Sequence, residues 1–365
     1  MDAMGSATRL EEHLVNSATK KRIPLGGSLE LLPLCNMNCD MCYVKLSREE
    51  MEAKGRLRSK EEWIALAEEM KEQGVLFLLL TGGEPLLYPG FKELYIHLIQ
   101  MGMIITINSN GTLIDEGWAD FFGTYKPRRI NITLYGKDAE TYESLCHYKK
   151  GFESTLQGIR LLKSRNVDVK LNGSLTKANR MDAQQLVRIA EDLQVPIHID
   201  TYMYPASRER DCGFQEDSRL DAKEAAKAKL EIAKHMLNER YEEYCEHMEV
   251  LGNVSAPDNI ESSVSCRAGR SSFVITWQGK MMPCVMLSSP QFDVFEEGFV
   301  SCWKKMVEAV NKIRISEKCA ACARRNVCQT CAACALLETG TYDGVPEYLC
   351  TYTEEIMEGI KHGRK

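Results

Sequence analysis

The sequence predicts an α/β fold, a partial (β/α)6 barrel of TIM type followed by a cysteine-rich C-terminal domain. Three observations carry this. Six short apolar runs between positions 29 and 202 each precede an amphipathic stretch or close the series, and β-then-α units in series imply a parallel sheet with right-handed crossovers. Six units are fewer than the eight of a closed barrel. Beyond position 255 the alternation is lost and cysteines crowd in.

Residues 29–34 are the first expected strand. Ser59 with Glu62 three positions later reads as a capping box for a helix through 72. Residues 75–80 (VLFLLL) are apolar at every position, as expected of a strand covered on both faces. A helix over 91–101, a strand over 103–108 and a helix over 114–122 follow. Then come a strand over 129–134, a helix over 152–165, a strand over 169–175, a helix over 182–193 and a sixth strand over 197–202. Residues 205–216 are polar and irregular. A single long helix is expected over 221–246, with Leu230, Ala233, Leu237 and Tyr241 on one stripe. The domain division is therefore an N-terminal segment 1–28, the barrel 29–215, a linker helix region 216–254 and a cysteine-rich domain 255–365.

The 365 residues are 44% hydrophobic and 27% charged, a globular mix that excludes a largely disordered or collagen-like chain. A net charge of -6 argues against nucleic acid as a partner. No apolar run approaches the length of a membrane span, and no signal peptide is legible, so a cytoplasmic location is expected. There the 15 cysteines stay reduced, and short spacings point to metal ligation rather than disulfides.

Directly after the first strand stand Cys35, Cys39 and Cys42, followed by Tyr43. Three thiolates can hold three irons of a cubane iron–sulfur cluster and leave the fourth iron open. The other reading is a zinc site that borrows a distant ligand. The second strand ends in Thr81-Gly82-Gly83-Glu84-Pro85, where glycines permit close approach to the backbone and a carboxylate can meet an ammonium group. Near the C-terminus, Cys266 and Cys284 flank Gly279, and Cys319-x2-Cys322-x5-Cys328-x2-Cys331 precedes Cys334 and Cys350. A zinc ribbon is the simple reading of the C-x2-C pairs. It leaves Cys266 and Cys284 unexplained, and the cysteines exceed what one zinc needs.

The first cysteine trio, the aromatic after it and the GGEP turn one unit later resemble the radical S-adenosylmethionine (radical SAM) enzymes over residues 29–204. The resemblance implies that Cys35, Cys39 and Cys42 ligate a [4Fe–4S] cluster whose open iron binds the amino and carboxylate groups of SAM. It further implies that Tyr43 lies near the adenine and that Gly82, Gly83 and Glu84 meet the methionine amino group. Ser109 and Asn110 fall where the family places ribose contacts. Thr133 stands where relatives carry a serine, and Asn172 and Thr176 are weaker candidates. The C-terminal array resembles the SPASM extension, an auxiliary-cluster domain with two further [4Fe–4S] clusters. By position, Cys319, Cys322, Cys328 and Cys350 would hold the outer cluster, and Cys266, Cys284 and Cys331 the inner one. The spacing to Cys331 is like that of enzymes of pyrroloquinoline quinone and heme d1 assembly. Some relatives carry one more cysteine where this chain has Ser272. The inner cluster would then recruit Cys334 or Cys302, or keep an open iron. Val285 replaces the aspartate of sulfatase maturases, which argues against that activity.

What the resemblance implies is an oxidoreductase that uses a 5′-deoxyadenosyl radical to abstract hydrogen from a substrate, in the first place a ribosomally made peptide, forming a crosslink or other oxidised product. A small molecule, as for a sugar or aminoglycoside dehydrogenase or epimerase, is the alternative. A zinc-stabilised binding protein is the non-enzymatic one. Only 34 residues precede Cys35, so a separate recognition protein, or the enzyme itself, is expected to present a peptide. A flavodoxin or ferredoxin is the expected electron donor. Among the remaining thiols, Cys146 is the candidate catalytic residue if it faces the cavity and a small core residue otherwise, with His147 beside it. Cys212 reads as a mobile donor or an exposed thiol, and Cys245 as a packing residue.

Overall fold

The computed structural model describes residues 9–205, 207, 208, 218–254 and 264–362. Nine strands form one open sheet: β1 Gly26–Glu30, β2 Phe77–Thr81, β3 Ile104–Ser109, β4 Arg129–Thr133, β5 Val169–Ser174, β6 Ile197–Asp200, β7 Ser272–Ile275, β8 Lys280–Met282 and β9 Phe292–Asp293. Their order is β6-β5-β4-β3-β2-β1-β7-β8-β9. Strands β1 to β6 are parallel neighbours in sequence order. The sheet curves into the expected partial barrel with no closure between β6 and β1. The cysteine-rich segment continues the same sheet, because β7 adds parallel to β1 and β8 and β9 follow antiparallel.

Strand β1 sits earlier than the expected 29–34. Its Gly26 and Gly27 weaken the strand signal, yet a Cβ on Gly27 would fall 2.3 Å from the Phe273 ring, so the pairing with β7 needs glycine there. Leu31 still donates to the Thr81 carbonyl at 2.9 Å, and Pro33 removes the donor that would continue the ladder. Strand β2 is also not covered alike on both faces. Leu78 and Leu80 are buried against helices, while Phe77, Leu79 and Thr81 are half-buried and line a cavity inside the barrel. An apolar run thus lies with one face on packed core and the other on a ligand-sized space.

The capping box at Ser59 and Glu62 forms as expected, opening the helix Lys60–Glu72. The expected single helix over 221–246 is instead two, Ala222–Leu237 and Tyr241–Asn253, joined by a short 3-10 turn. The break falls at Asn238, whose φ of 46° is in the left-handed region that asparagine tolerates better than most residues. Ala222, Ala225 and Ala226 bury against the C-terminal helix Glu347–His362, whose Leu349, Ile356 and Ile360 face the core. At the other end, the helix Arg9–Lys21 closes the bottom of the barrel. Its Glu11 and Val15 line the cavity, and Glu11 pairs with Arg128 at 2.9 Å.

Candidate active site

The loop 35–42 leaves the top of β1 and docks on the end of the helix Ala139–Cys146. Asn38 and Asp40 donate backbone N–H bonds to the carbonyls of Cys146 and Leu145, each at 3.0 Å. In this loop Cys35 lies near enough to Cys39 and Cys42 for their charges to act on it. Burial pushes the Cys35 thiol up to about 12, and the neighbouring charges of Glu84, Cys39 and Cys42 push the same way. The Cys35 sulfur accepts from the Met37 N–H at 3.4 Å and from Asn110 Nδ2 at 3.6 Å. Donors aimed at a sulfur favour its ionised, metal-binding form.

The GGEP turn packs on the strand that leads into this loop. Gly83 and Glu84 donate backbone bonds to the carbonyls of Leu32 and Leu34 at 2.8 and 2.9 Å. A Cβ on Gly82 or Gly83 would stand 2.4 or 2.3 Å from those same carbonyl oxygens. The chain's own backbone therefore makes the close approach that requires the glycines. The Glu84 side chain is fully buried. Its carboxylate accepts from the Asn110 N–H at 2.8 Å, from Ser109 Oγ at 3.0 and 3.1 Å and from the Leu86 N–H at 3.1 Å. Burial outweighs those donors and raises its pKa to about 7. Glu84 thus ties the second strand's turn to the third strand's. Asn110 completes the link, donating to Asn36 Oδ1 at 2.9 Å while its carbonyl accepts from Thr155.

Tyr43 lines the barrel cavity, with the Arg208 guanidinium 5.3 Å from its ring centre. Arg208 makes two bonds, at 2.6 and 2.7 Å, to Glu30, and both side chains are almost wholly buried. Sequence reasoning missed this pair. Its one signal was a glutamate inside the apolar run Leu29-Glu30-Leu31. Thr133 and Asn172 are register neighbours on the inner face of β4 and β5. Thr176 is buried in a turn with Asn179. Cys146 is fully buried, with its thiol donating to the Cys39 sulfur. Of its two readings the structure gives the core one, because its helix end is the docking surface of the cysteine loop. His147 pairs with Asp40 at 2.6 Å.

The cavity holds about 650 Å3 and joins this site to the C-terminal array, since Tyr43 and Cys284 both line it. Ser272 lines it as well. Cys284 accepts from the Leu287 N–H at 3.2 Å and lies near Cys331 and Cys266. The Cys331 and Cys334 sulfurs are 3.6 Å apart. Cys302 is elsewhere, buried and donating to the Asp293 carbonyl, so only Cys334 of the two expected recruits adjoins the inner set. Cys245 is buried beside Tyr241, and Cys212 lies outside the described residues. Cys319, Cys322, Cys328 and Cys350 together line a separate cavity of about 70 Å3, and Cys322 accepts from the Arg324 N–H at 3.4 Å. No group of three or more His, Cys, Asp or Glu among the described residues is arranged to hold a metal ion. A zinc ion with bonds of about 2.3 Å would need its thiolates within about 4 Å of one another. Four thiols lining one cavity, and N–H donors on Cys35, Cys284 and Cys322, suit thiolate ligation of an inorganic group.

Residues 29–201 match the family model described as the Radical SAM superfamily. The AdoMet-dependent heme synthase of Methanosarcina barkeri is 25% identical over 336 residues, covering 86% of this chain and 92% of that one. The PqqA peptide cyclase of Granulibacter bethesdensis is 26% identical over 315 residues, covering 83% and 81%. Among solved structures, Streptococcus suis SuiB bound to its precursor peptide SuiA superposes with a TM-score of 0.69 at 17% identity, covering 94% of this chain and 82% of that one. That likeness establishes the partial-barrel fold. With the thiol loop, the GGEP turn and the cysteine-rich extension in place, residues 29–201 carry a Radical SAM domain, and the chain as a whole is similar to members of that superfamily with a C-terminal extension of SPASM type.

Proposed function

We propose that this protein is a radical SAM oxidoreductase acting on a peptide, forming a crosslink or another oxidised product. The observation that carries the reading is that the loop bearing Cys35, Cys39 and Cys42 runs directly into Tyr43 on a cavity whose wall also bears Cys284. In this reading Cys35, Cys39 and Cys42 hold a [4Fe–4S] cluster. When bound, that cluster and SAM supply a 5′-deoxyadenosyl radical competent to abstract hydrogen from an unactivated C–H bond. Cys319, Cys322, Cys328 and Cys350 hold an outer auxiliary cluster. Cys266, Cys284 and Cys331, with Cys334 alongside, hold an inner one.

The protein's own work is orientation and exclusion of water. Asn110 and the Met37 N–H steady the Cys35 sulfur. Glu84 fixes the turns that carry Gly82, Gly83 and Ser109, which meet SAM in this reading. In this reading Tyr43, braced by the Glu30–Arg208 pair, meets the adenine, and Thr133 at the end of β4 also meets SAM. The cavity is large enough for a substrate segment between the first thiol loop and Cys284. Cys284 then stands where an electron leaving the substrate would be collected. A flavodoxin or ferredoxin supplies electrons to the first cluster.

A relative named as a peptide cyclase and a fold like that of a peptide-bound enzyme support a peptide substrate. A small-molecule substrate is the second reading, favoured by the heme-synthase relative that spans nearly the same length. The test is anaerobic reconstitution followed by iron, sulfide and zinc analysis, with 5′-deoxyadenosine release measured under dithionite. About twelve irons per chain and reductant-dependent release are expected. Stoichiometric zinc without iron, or no SAM cleavage, would overturn the reading.

A further inference from the structure

The inner faces of the strands form rows across the barrel. Register sets Glu30 beside Thr81, Asn108 beside Asn131, and Asn131 beside Lys170. Thr106 and Arg129 are neighbours one row lower. All of these residues line the cavity of about 650 Å3.

Most charge on this wall is already answered. Glu30 is met by Arg208, Arg128 by Glu11 at 2.9 Å and Arg129 by Asp168 at 2.8 Å. Lys170 differs. The residue is only 7% exposed, and among the described residues it has no hydrogen-bond or ion-pair partner. Its neighbour Asn131 spends its amide N–H on Asn108 at 2.8 Å. The carboxylate that acts on it from a distance, Asp200, is exposed and bonded to His198 at 3.0 Å. Burial, reinforced by the positive charge of Arg129, holds the lysine below its ordinary pKa. Arg267, also on the cavity wall, has no side-chain partner among the described residues. A buried cation without a counter-charge is costly, and it persists where something else completes it.

Lys170 is the second residue of β5. It is in the register row that runs through Asn131 and Asn108 toward Thr81, three strands away from the strand that carries Gly82, Gly83 and Glu84. We propose that Lys170, with Arg129 and Arg267 adding positive field, is a carboxylate-binding subsite for the substrate. The substrate therefore carries a carboxylate that enters the barrel. This rests on the reading of the cavity as the site of a radical SAM reaction. An acidic peptide side chain and the propionate of a tetrapyrrole share this chemistry.

Calorimetry on the reconstituted, SAM-loaded protein separates the sources, using pentaglutamate against pentaglutamine and coproporphyrin III against its tetra-amide. Wild type is expected to bind at least one acid at least tenfold more tightly than its neutral partner. A preference in the glutamate arm assigns a peptide, and one in the porphyrin arm a tetrapyrrole. The preference should vanish in Lys170→Met and survive in Lys170→Arg, which also controls for folding. Wild type with no acid preference, or Lys170→Met with an undiminished one, would overturn the proposal. So would a tenfold loss of SAM affinity in Lys170→Met with acid preference intact, which would hand the lysine to SAM. Release of 5′-deoxyadenosine by wild type is scored separately. Its absence beside a clear acid preference would sink the radical reading and leave the subsite standing.

Discussion

The first cysteine loop and the outer C-terminal set solve opposite problems with the same side chain. Cys35, Cys39 and Cys42 come from one short loop, and three sulfurs cannot enclose an inorganic body. Cys319, Cys322, Cys328 and Cys350 come from two separated segments and line one small cavity together. The first loop is held by polar bonds from the turns after β2 and β3. The outer set is held by apolar packing, with Leu349 on the same wall, and by the Arg324–Glu354 ion pair at 3.0 Å that joins its two segments directly. An open site must be fixed from outside because its contents cannot finish it. A closed one is fixed by what it holds.

Four experiments sharpen or break this contrast. Cys39→Ala should abolish 5′-deoxyadenosine release under dithionite, and release at the wild-type rate would remove the first loop from the chemistry. Cys350→Ala should lose about four of about twelve irons while the SAM-cleavage signal remains measurable. An unchanged iron count would show that the outer set is not one site. Asn110→Ala, which strips a donor from Cys35, should lower SAM-cleavage activity about tenfold, in line with other residues that orient metal ligands, and shift the low-temperature EPR signal of the first cluster. An unaltered spectrum would deny the contact a role.

The smallest expected effect concerns pH. Glu84 has a folded pKa near 7 against an ordinary carboxylate value of 4.5. Between those values the folded state holds the proton more tightly than the unfolded one, so its contribution falls as pH rises through that window. Measured against Glu84→Gln by denaturant unfolding, the wild-type advantage should shrink by on the order of 2 kcal/mol from pH 5 to pH 8. A difference that does not vary with pH would mean that the surrounding donors already hold the carboxylate ionised.

Much of this was legible in the sequence, for local reasons. The β/α alternation, the Ser59–Glu62 cap and the cysteine spacings are read over a few residues, and the parallel sheet and the thiol loop followed from them. What stayed hidden depends on distant partners. The start of β1 at Gly26 was obscured because glycine is needed there only to admit Phe273 from the far end of the chain. The Glu30–Arg208 pair joins the first strand to a segment beyond the sixth. The choice between a cavity thiol and a core residue stayed open for Cys146 because nothing local says that its helix end receives the cysteine loop. The break at Asn238 was missed because a run of good helix formers on either side outweighs one asparagine in any window average.

The parallel pairing of Gly26–Leu29 with Ser272–Ile275 has a consequence for how the molecule is made. While the ribosome is still supplying the middle of the chain, the first strand has one flank without a neighbour, and such flanks recruit other chains. Only when the late strand emerges is that flank sealed. The protein is therefore most prone to clumping in mid-synthesis, and deleting its last third would make that passing hazard permanent.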